Sequence, residues 1–142
     1  NIQPVCLLGP HFKQYENVET LLSAFSQSKI IKNCKSVLEL PVKCDIAIGA
    51  PGVSHAERLY AGIPTVLVPQ SESHTALCMN WHDEGCALYA RPEAKHIAMQ
   101  MNALIANKFD RAWTISREGQ RVIDGKGASR IVAELALRGQ NI

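Results

Sequence analysis

The chain has 142 residues, 46% of them apolar and 20% charged, with a formal net charge of +2. This composition suits one compact domain with a core to bury. Its Lys and Arg residues are scattered rather than gathered into a stripe, which speaks against a nucleic-acid partner, and no apolar run approaches the roughly 20 residues that span a bilayer. No charged-then-apolar leader opens the sequence, and the five cysteines (Cys6, Cys34, Cys44, Cys78, Cys86) form an odd set without Cys-x-x-Cys spacing. A cytoplasmic protein with reduced, buried thiols is the expectation.

Short apolar runs bounded by turn residues alternate with longer helical patterns, which predicts βαβ units and a parallel sheet over a single domain, residues 1–142. In chain order the expected elements are a strand at Val5–Leu8, a helix at Glu16–Ser26, strands at Lys29–Ile31 and Asp45–Ile48, and a helix at Ser54–Ala61. A strand at Thr65–Val68, a helix at Ser73–Glu84 and a strand at Ala87–Tyr89 follow. Helices at Pro92–Lys108, Arg111–Val122 and Ala128–Leu137 complete the chain. The run Asp45-Ile-Ala-Ile-Gly is continuously apolar after its first residue and ends in glycine, as a strand buried on both faces should. Ile97, Ala98, Met101, Leu104 and Ile105 recur at three and four, one apolar helix face that belongs to the core. Gly85 suits a left-handed C-cap and Pro92 the first turn of the next helix.

The stretch Ile48-Gly-Ala-Pro-Gly-Val-Ser-His-Ala-Glu57 reads as strand, glycine-containing loop and helix start. Backbone N–H groups in such a loop can approach a ligand closely, and a helix N-terminus adds unpaired donors with partial positive charge, so Gly52, Val53 and Ser54 form a candidate diphosphate seat. In parallel sheets ligands gather at the carboxyl ends of strands, where this loop lies. Glu57, three residues after Ser54, has two readings. Its carboxylate could accept hydrogen bonds from the vicinal hydroxyls of a ribose, or it could close a capping box with Ser54.

Residues Asp45-Ile-Ala-Ile-Gly-Ala-Pro-Gly-Val-Ser-His-Ala-Glu-Arg-Leu-Tyr-Ala-Gly-Ile-Pro-Thr-Val-Leu-Val resemble the C-terminal domain of GT-B enzymes related to the lipid-II-forming N-acetylglucosaminyltransferases. Within that group the chain is most similar to the UDP-sugar hydrolases of pseudaminic acid biosynthesis, often labelled spore-coat polysaccharide biosynthesis proteins. The tail Ile123-Asp-Gly-Lys-Gly-Ala-Ser-Arg-Ile131 resembles the Asp-Gly-x-Gly-Ala-x-Arg-Val/Ile ending of those hydrolases. The resemblance covers most of the chain, most strongly residues 45–90 and 111–135.

It implies a Rossmann-like parallel sheet flanked by helices, a UDP-sugar as ligand, Glu57 on the ribose hydroxyls and the backbone of Gly52, Val53 and Ser54 on the diphosphate. Ser73-His74 stands where those hydrolases typically show Asn-Gln, so the polar contacts there must differ or be lost; both residues are candidate ligand contacts, with His74 reading equally as an exposed histidine in the first turn of a helix. The family's catalytic histidine belongs to an N-terminal GT-B domain, so the chain is expected to be part of a longer protein, with residues upstream of Asn1, and to bind rather than turn over by itself. No catalytic residue is assigned within it.

The remaining candidates reduce to ordinary roles. His74, Cys78, His82 and Cys86 recur every four residues, but on a helix the first and last lie about 18 Å apart, so no metal site is expected. His55 is expected to be a solvated side chain, Asp124 to fix a turn or cap the last helix, and Trp81 and Trp113 to anchor packing. No Gly-x-Ser-x-Gly elbow and no Walker loop occur, which leaves no basis for a hydrolase triad or an ATPase, and no cofactor is implied.

Overall fold

The computed structural model describes residues 2–40 and 43–139, which fall into two compact units, one up to residue 40 and one from residue 43 onward. Asn1 lies outside the described residues. In the first unit, strand β1 (Val5–Leu8) runs parallel to β2 (Lys29–Lys32), with Val5 opposite Lys29 and Leu8 opposite Lys32, and helix α1 (Tyr15–Leu22) makes the crossover. A parallel pair needs such a crossover because a tight turn cannot bring the chain back to the same end. A 3-10 turn at Val37–Glu39 follows, capped by Ser36 Oγ, which accepts from the Leu38 amide at 3.1 Å.

The second unit carries a parallel sheet in the order β3-β4-β5, made of Ala47–Gly49, Thr65–Leu67 and Leu88–Tyr89. Helices α2 (Val53–Tyr60) and α3 (Glu72–Asp83) connect these strands, and α4 (Ala94–Val122) and α5 (Gly127–Gly139) follow. Every residue of β4 is buried. Val66 faces a cluster with Leu88, Ala90, Leu104, Ala112 and Ile115, and Leu67 faces Cys78 and Ala87 with Trp81 against them. Because successive strand residues point to opposite faces, β4 is held between α4 on one side and α3 on the other. The parallel sheet flanked by helices expected from the sequence is thus present.

The strand at residues 45–48 departs from its expectation. It runs as β3 at the sheet edge, and Ile48 is 52% exposed. Ile46 packs at the border of the α4 cluster, while Ile48, two residues on along the strand, stays outside it. The strand buried on both faces is β4.

The break expected between residues 108 and 111 is present in α4 but starts earlier, at Ala106. Ala106 leaves helical geometry, and Asn107, Lys108 and Phe109 all adopt positive φ. The turn lets both halves feed one core, Leu104 before it and Ala112 and Ile115 after it. The second half then reaches α2, where Gly119 comes so near that a Cβ on it would stand 2.6 Å from Leu59 Cδ2. Ser116 Oγ donates to the Gly62 carbonyl at 2.8 Å. Of the apolar stripe expected on the first half, Ile97, Met101 and Leu104 enter the core, whereas Ala98 and Ile105 are exposed. That helix begins at Ala94 with Glu93 as its cap, so Pro92 precedes it rather than opening its first turn.

Gly85 does close α3 as expected. At φ +71 its amide donates to the His82 carbonyl, and the Cys86 amide donates to the Trp81 carbonyl, the paired bonds of a Schellman cap. Trp81 packs into the α3 cluster, but Trp113 is 67% exposed and lines a cavity of about 240 Å³ with Asp45, Pro64 and Phe109. It is not a packing anchor: on the helical segment after the break, it stands off the face by which Ala112 and Ile115 enter the core. Asp124 does fix a turn: one carboxylate oxygen accepts from the Lys126 amide at 2.9 Å and the other pairs with Arg130 at 2.6 Å. Among the described residues no helix is long and apolar enough to cross a membrane.

Candidate functional site

Strand β3 ends at Gly49, the loop turns through Ala50 and Pro51, and α2 starts at Val53 with Gly52 as its N-cap. The amides of His55 and Ala56 donate to the Gly52 carbonyl at 2.8 and 3.3 Å. An α-helix leaves its first donors over, here those of Gly52, Val53 and Ser54, and no side chain caps them. All three residues are exposed. Gly52 is fully extended, with φ −163 and ψ −159, and a Cβ placed on it would meet nothing within 4 Å. The three candidate residues thus present an open, donor-rich surface with the positive end of a helix behind it.

The cap removes one of the two readings at Glu57. Ser54 is the second residue of α2, not its cap, so the spacing Ser54-x-x-Glu57 does not form a capping box. Glu57 lies half-buried at the start of the second turn of α2.

Helix α3 begins at the same edge of the sheet, because β3 and β4 are parallel neighbours and each delivers a helix from its carboxyl end. Ser73 is exposed with its hydroxyl 3.0 Å from that of Ser71, and His74 is half-buried with Nδ1 enclosed and unpaired. The first turn of α2 also meets the other end of α3, where His55 packs edge-on against Trp81. Eight residues separate Trp81 from Ser73, about 12 Å of helix. Gly52, Val53 and Ser54 are contiguous at the start of α2, while Ser73 and His74 stand in the first turn of a second helix.

His55 is not solvated. It is 0% exposed, with both ring nitrogens enclosed and without hydrogen-bond partners. It lies on the face of α2 that turns inward, with Arg58 and Leu59 at the spacing of a buried stripe. Burial, with the charge of Arg58 adding to it, lowers the imidazole to about 4, so near neutral pH it is an uncharged ring rather than a cation for a phosphate.

Arg58, which no sequence motif marks out, is only 7% exposed. Nε donates to Thr65 Oγ1 at 3.2 Å, Nη2 to the Ala50 carbonyl at 2.9 Å and Nη1 to Ser54 Oγ at 3.4 Å. Burial lowers it to about 10, opposed by the charge of Glu57, and it stays protonated at neutral pH. The available signal was its position next to Leu59, an apolar residue on the inward face of α2.

Among the described residues no group of three or more His, Cys, Asp or Glu side chains is placed to hold a metal ion. In the His-Cys-His-Cys series, Cys78 is buried in the α3 cluster and His82 Nδ1 accepts from the Tyr89 amide at 3.3 Å.

No family model matches the chain. Over 134 residues, 91% of this chain and 39% of the relative, it is 26% identical to the spore coat polysaccharide biosynthesis protein SpsG of Bacillus subtilis. A 69-residue stretch, 46% of this chain, is 38% identical to an uncharacterized protein of Methanocaldococcus jannaschii and covers 14% of it. Among solved structures, the spinosyn forosaminyltransferase SpnP superposes with a TM-score of 0.51 at 17% identity, over 96% of this chain and 44% of that one. The chain therefore spans less than half the length of each of these relatives, and the structural likeness, at that identity, speaks for the Rossmann-like α/β fold.

Proposed function

We propose that this chain supplies the nucleotide grip of an enzyme of polysaccharide biosynthesis that acts on a UDP-activated amino sugar. In this reading the amides of Gly52, Val53 and Ser54 hold the diphosphate, Glu57 accepts from the ribose hydroxyls, and Ser73 and His74 contribute polar contacts from α3. The observation that carries it is the start of α2, where three left-over amides and a cap residue with open space in place of a side chain face solvent beyond the carboxyl end of a parallel strand. Similarity over most of the chain to a spore coat polysaccharide biosynthesis protein supports the class of pathway.

As a hydrolase, the enzyme directs a water at the anomeric carbon. The new carbon–oxygen bond forms as the bond to the diphosphate breaks, UDP leaves as an anion, and the helix end stabilises the charge growing on it. The proton from water passes to a base that this reading assigns to an N-terminal domain outside this chain, as the resemblance to the pseudaminic acid hydrolases implies. A glycosyltransferase would use the same grip with an acceptor hydroxyl in place of water, so release of free sugar, rather than its transfer, distinguishes the two. Calorimetric titration with UDP tests the grip itself. Saturable binding that uridine reproduces only weakly is expected, and absence of UDP binding by the folded chain would overturn the proposal.

A further inference from the structure

A guanidinium shut away from water costs several kcal/mol unless hydrogen bonds and nearby charge compensate it. Arg58 makes three hydrogen bonds, all to neutral oxygens that belong to three separate parts of the fold: Thr65 on β4, Ala50 in the loop and Ser54 in the first turn of α2. A planar group with donors in a fixed fork sets the relative placement of everything it binds. The fit leaves no slack on the strand side, because a Cβ on Gly49 would stand 2.9 Å from Nη1. The last residue of β3 lacks a side chain where the cation lies against the backbone.

We propose that Arg58 is the positioning residue of the phosphate seat. It draws the Ala50 carbonyl inward to itself, holds Ser54 through its hydroxyl, and so orders the loop whose amides at Gly52, Val53 and Ser54 face the ligand. Its fixed positive charge, directly behind the helix start, adds to the field that an entering diphosphate meets. Thr65 completes the arrangement. It is 0% exposed, accepts from Nε and donates to the Ile63 carbonyl at 3.0 Å, which locks its hydroxyl in the accepting orientation. The assignment rests on reading the start of α2 as a diphosphate seat.

The test compares affinities of the full chain and its variants for UDP and for uridine, which shares the base and ribose but has no phosphate, with circular dichroism and thermal melting to confirm folding. Arg58→Met keeps the length of the side chain and removes the charge and the fork. It should weaken UDP by about tenfold while uridine changes less than twofold. Arg58→Lys restores the charge without the fork and should recover part of the loss. Thr65→Val keeps the shape of its side chain and leaves the charge in place, and should lower UDP affinity about twofold to threefold through loss of one hydrogen bond. If Arg58→Met fails to fold, Thr65→Val carries the decision. A folded variant of either residue with the parent ratio of UDP to uridine affinity would show that Arg58 only supports the fold. A parent chain that binds no UDP would instead remove the seat itself.

Discussion

The imidazole of His55 meets the indole of Trp81 edge to face, with ring centroids 5.3 Å apart and planes at 79°. This contact joins the first turn of α2 to the last turn of α3 and seals a histidine whose two nitrogens have no hydrogen-bond partner. A neutral ring tolerates that position far better than a cation would.

Acid should therefore unfold the chain through His55. Burial and the Arg58 charge depress its pKa from 6.5 to about 4. Between those values the unfolded chain takes up a proton that the folded chain refuses. The stability that the neutral ring contributes is complete above pH 6.5 and falls, by up to about 1.4 kcal/mol per pH unit, as pH drops toward 4. Urea unfolding midpoints at pH 7, 5.5 and 4.5 measure this, and His55→Leu should flatten the decline. An identical slope in parent and variant would assign the acid sensitivity elsewhere.

At Gly52 an added side chain has room. Its Cβ would meet nothing within 4 Å and the backbone is extended, so Gly52→Val should cost about 1 kcal/mol or less, the difference between glycine and an apolar residue as an N-cap. UDP affinity should fall by about tenfold or more because the side chain occupies the space above the amides, while uridine affinity changes little. Equal losses for both ligands would point to a distorted loop.

Glu57→Gln separates the ribose role from any role in the fold. Gly52, not Ser54, caps α2, so the change should leave the start of the helix intact and alter stability by less than about 1 kcal/mol. The expected loss in UDP affinity is about fivefold to tenfold, because an amide accepts fewer hydrogen bonds from a diol. Thermal melting and calorimetry on the same preparation decide the point, and unchanged UDP affinity would end the ribose assignment.

Gly119→Val tests the joint between α4 and α2. The new Cβ would lie 2.6 Å from Leu59 Cδ2 and 3.4 Å from its Cα, and Leu59 is 2% exposed, with little freedom to move aside. Overpacking of this kind should destabilise the protein by about 2 to 3 kcal/mol. A melting temperature at or above that of the parent would mean that α2 shifts freely against α4.

The isolated chain should release no free sugar from a panel of UDP-amino sugars, even where it binds UDP. One helix end can hold the leaving diphosphate, but activating water requires a second group across the anomeric carbon. His74, half-buried at the start of α3 with Nδ1 unpaired, is the internal candidate. Turnover that disappears in His74→Ala would move catalysis into this chain.

Local chemistry made much of the architecture legible. Strand β1 lies at Val5–Leu8 as expected, Gly85 closes α3, and the interruption near Lys108 divides the long helical pattern. Each of these depends on a run of side chains or a cap within a few residues, which the sequence states directly. The amides of Gly52, Val53 and Ser54 were visible for the same reason, since a glycine loop between a strand and a helix is a local pattern. Burial was not, because it is conferred by partners far along the chain. Tertiary packing made β4 the central strand instead of β3, through α3 on one face and α4 on the other. Trp81, brought up by α3, enclosed His55, and Arg58 acquired its role only when the loop, α2 and β4 converged on its three donors. A polar residue on the inward face of a helix can be recognised from its spacing, but what it holds there is decided by the elements folded against it.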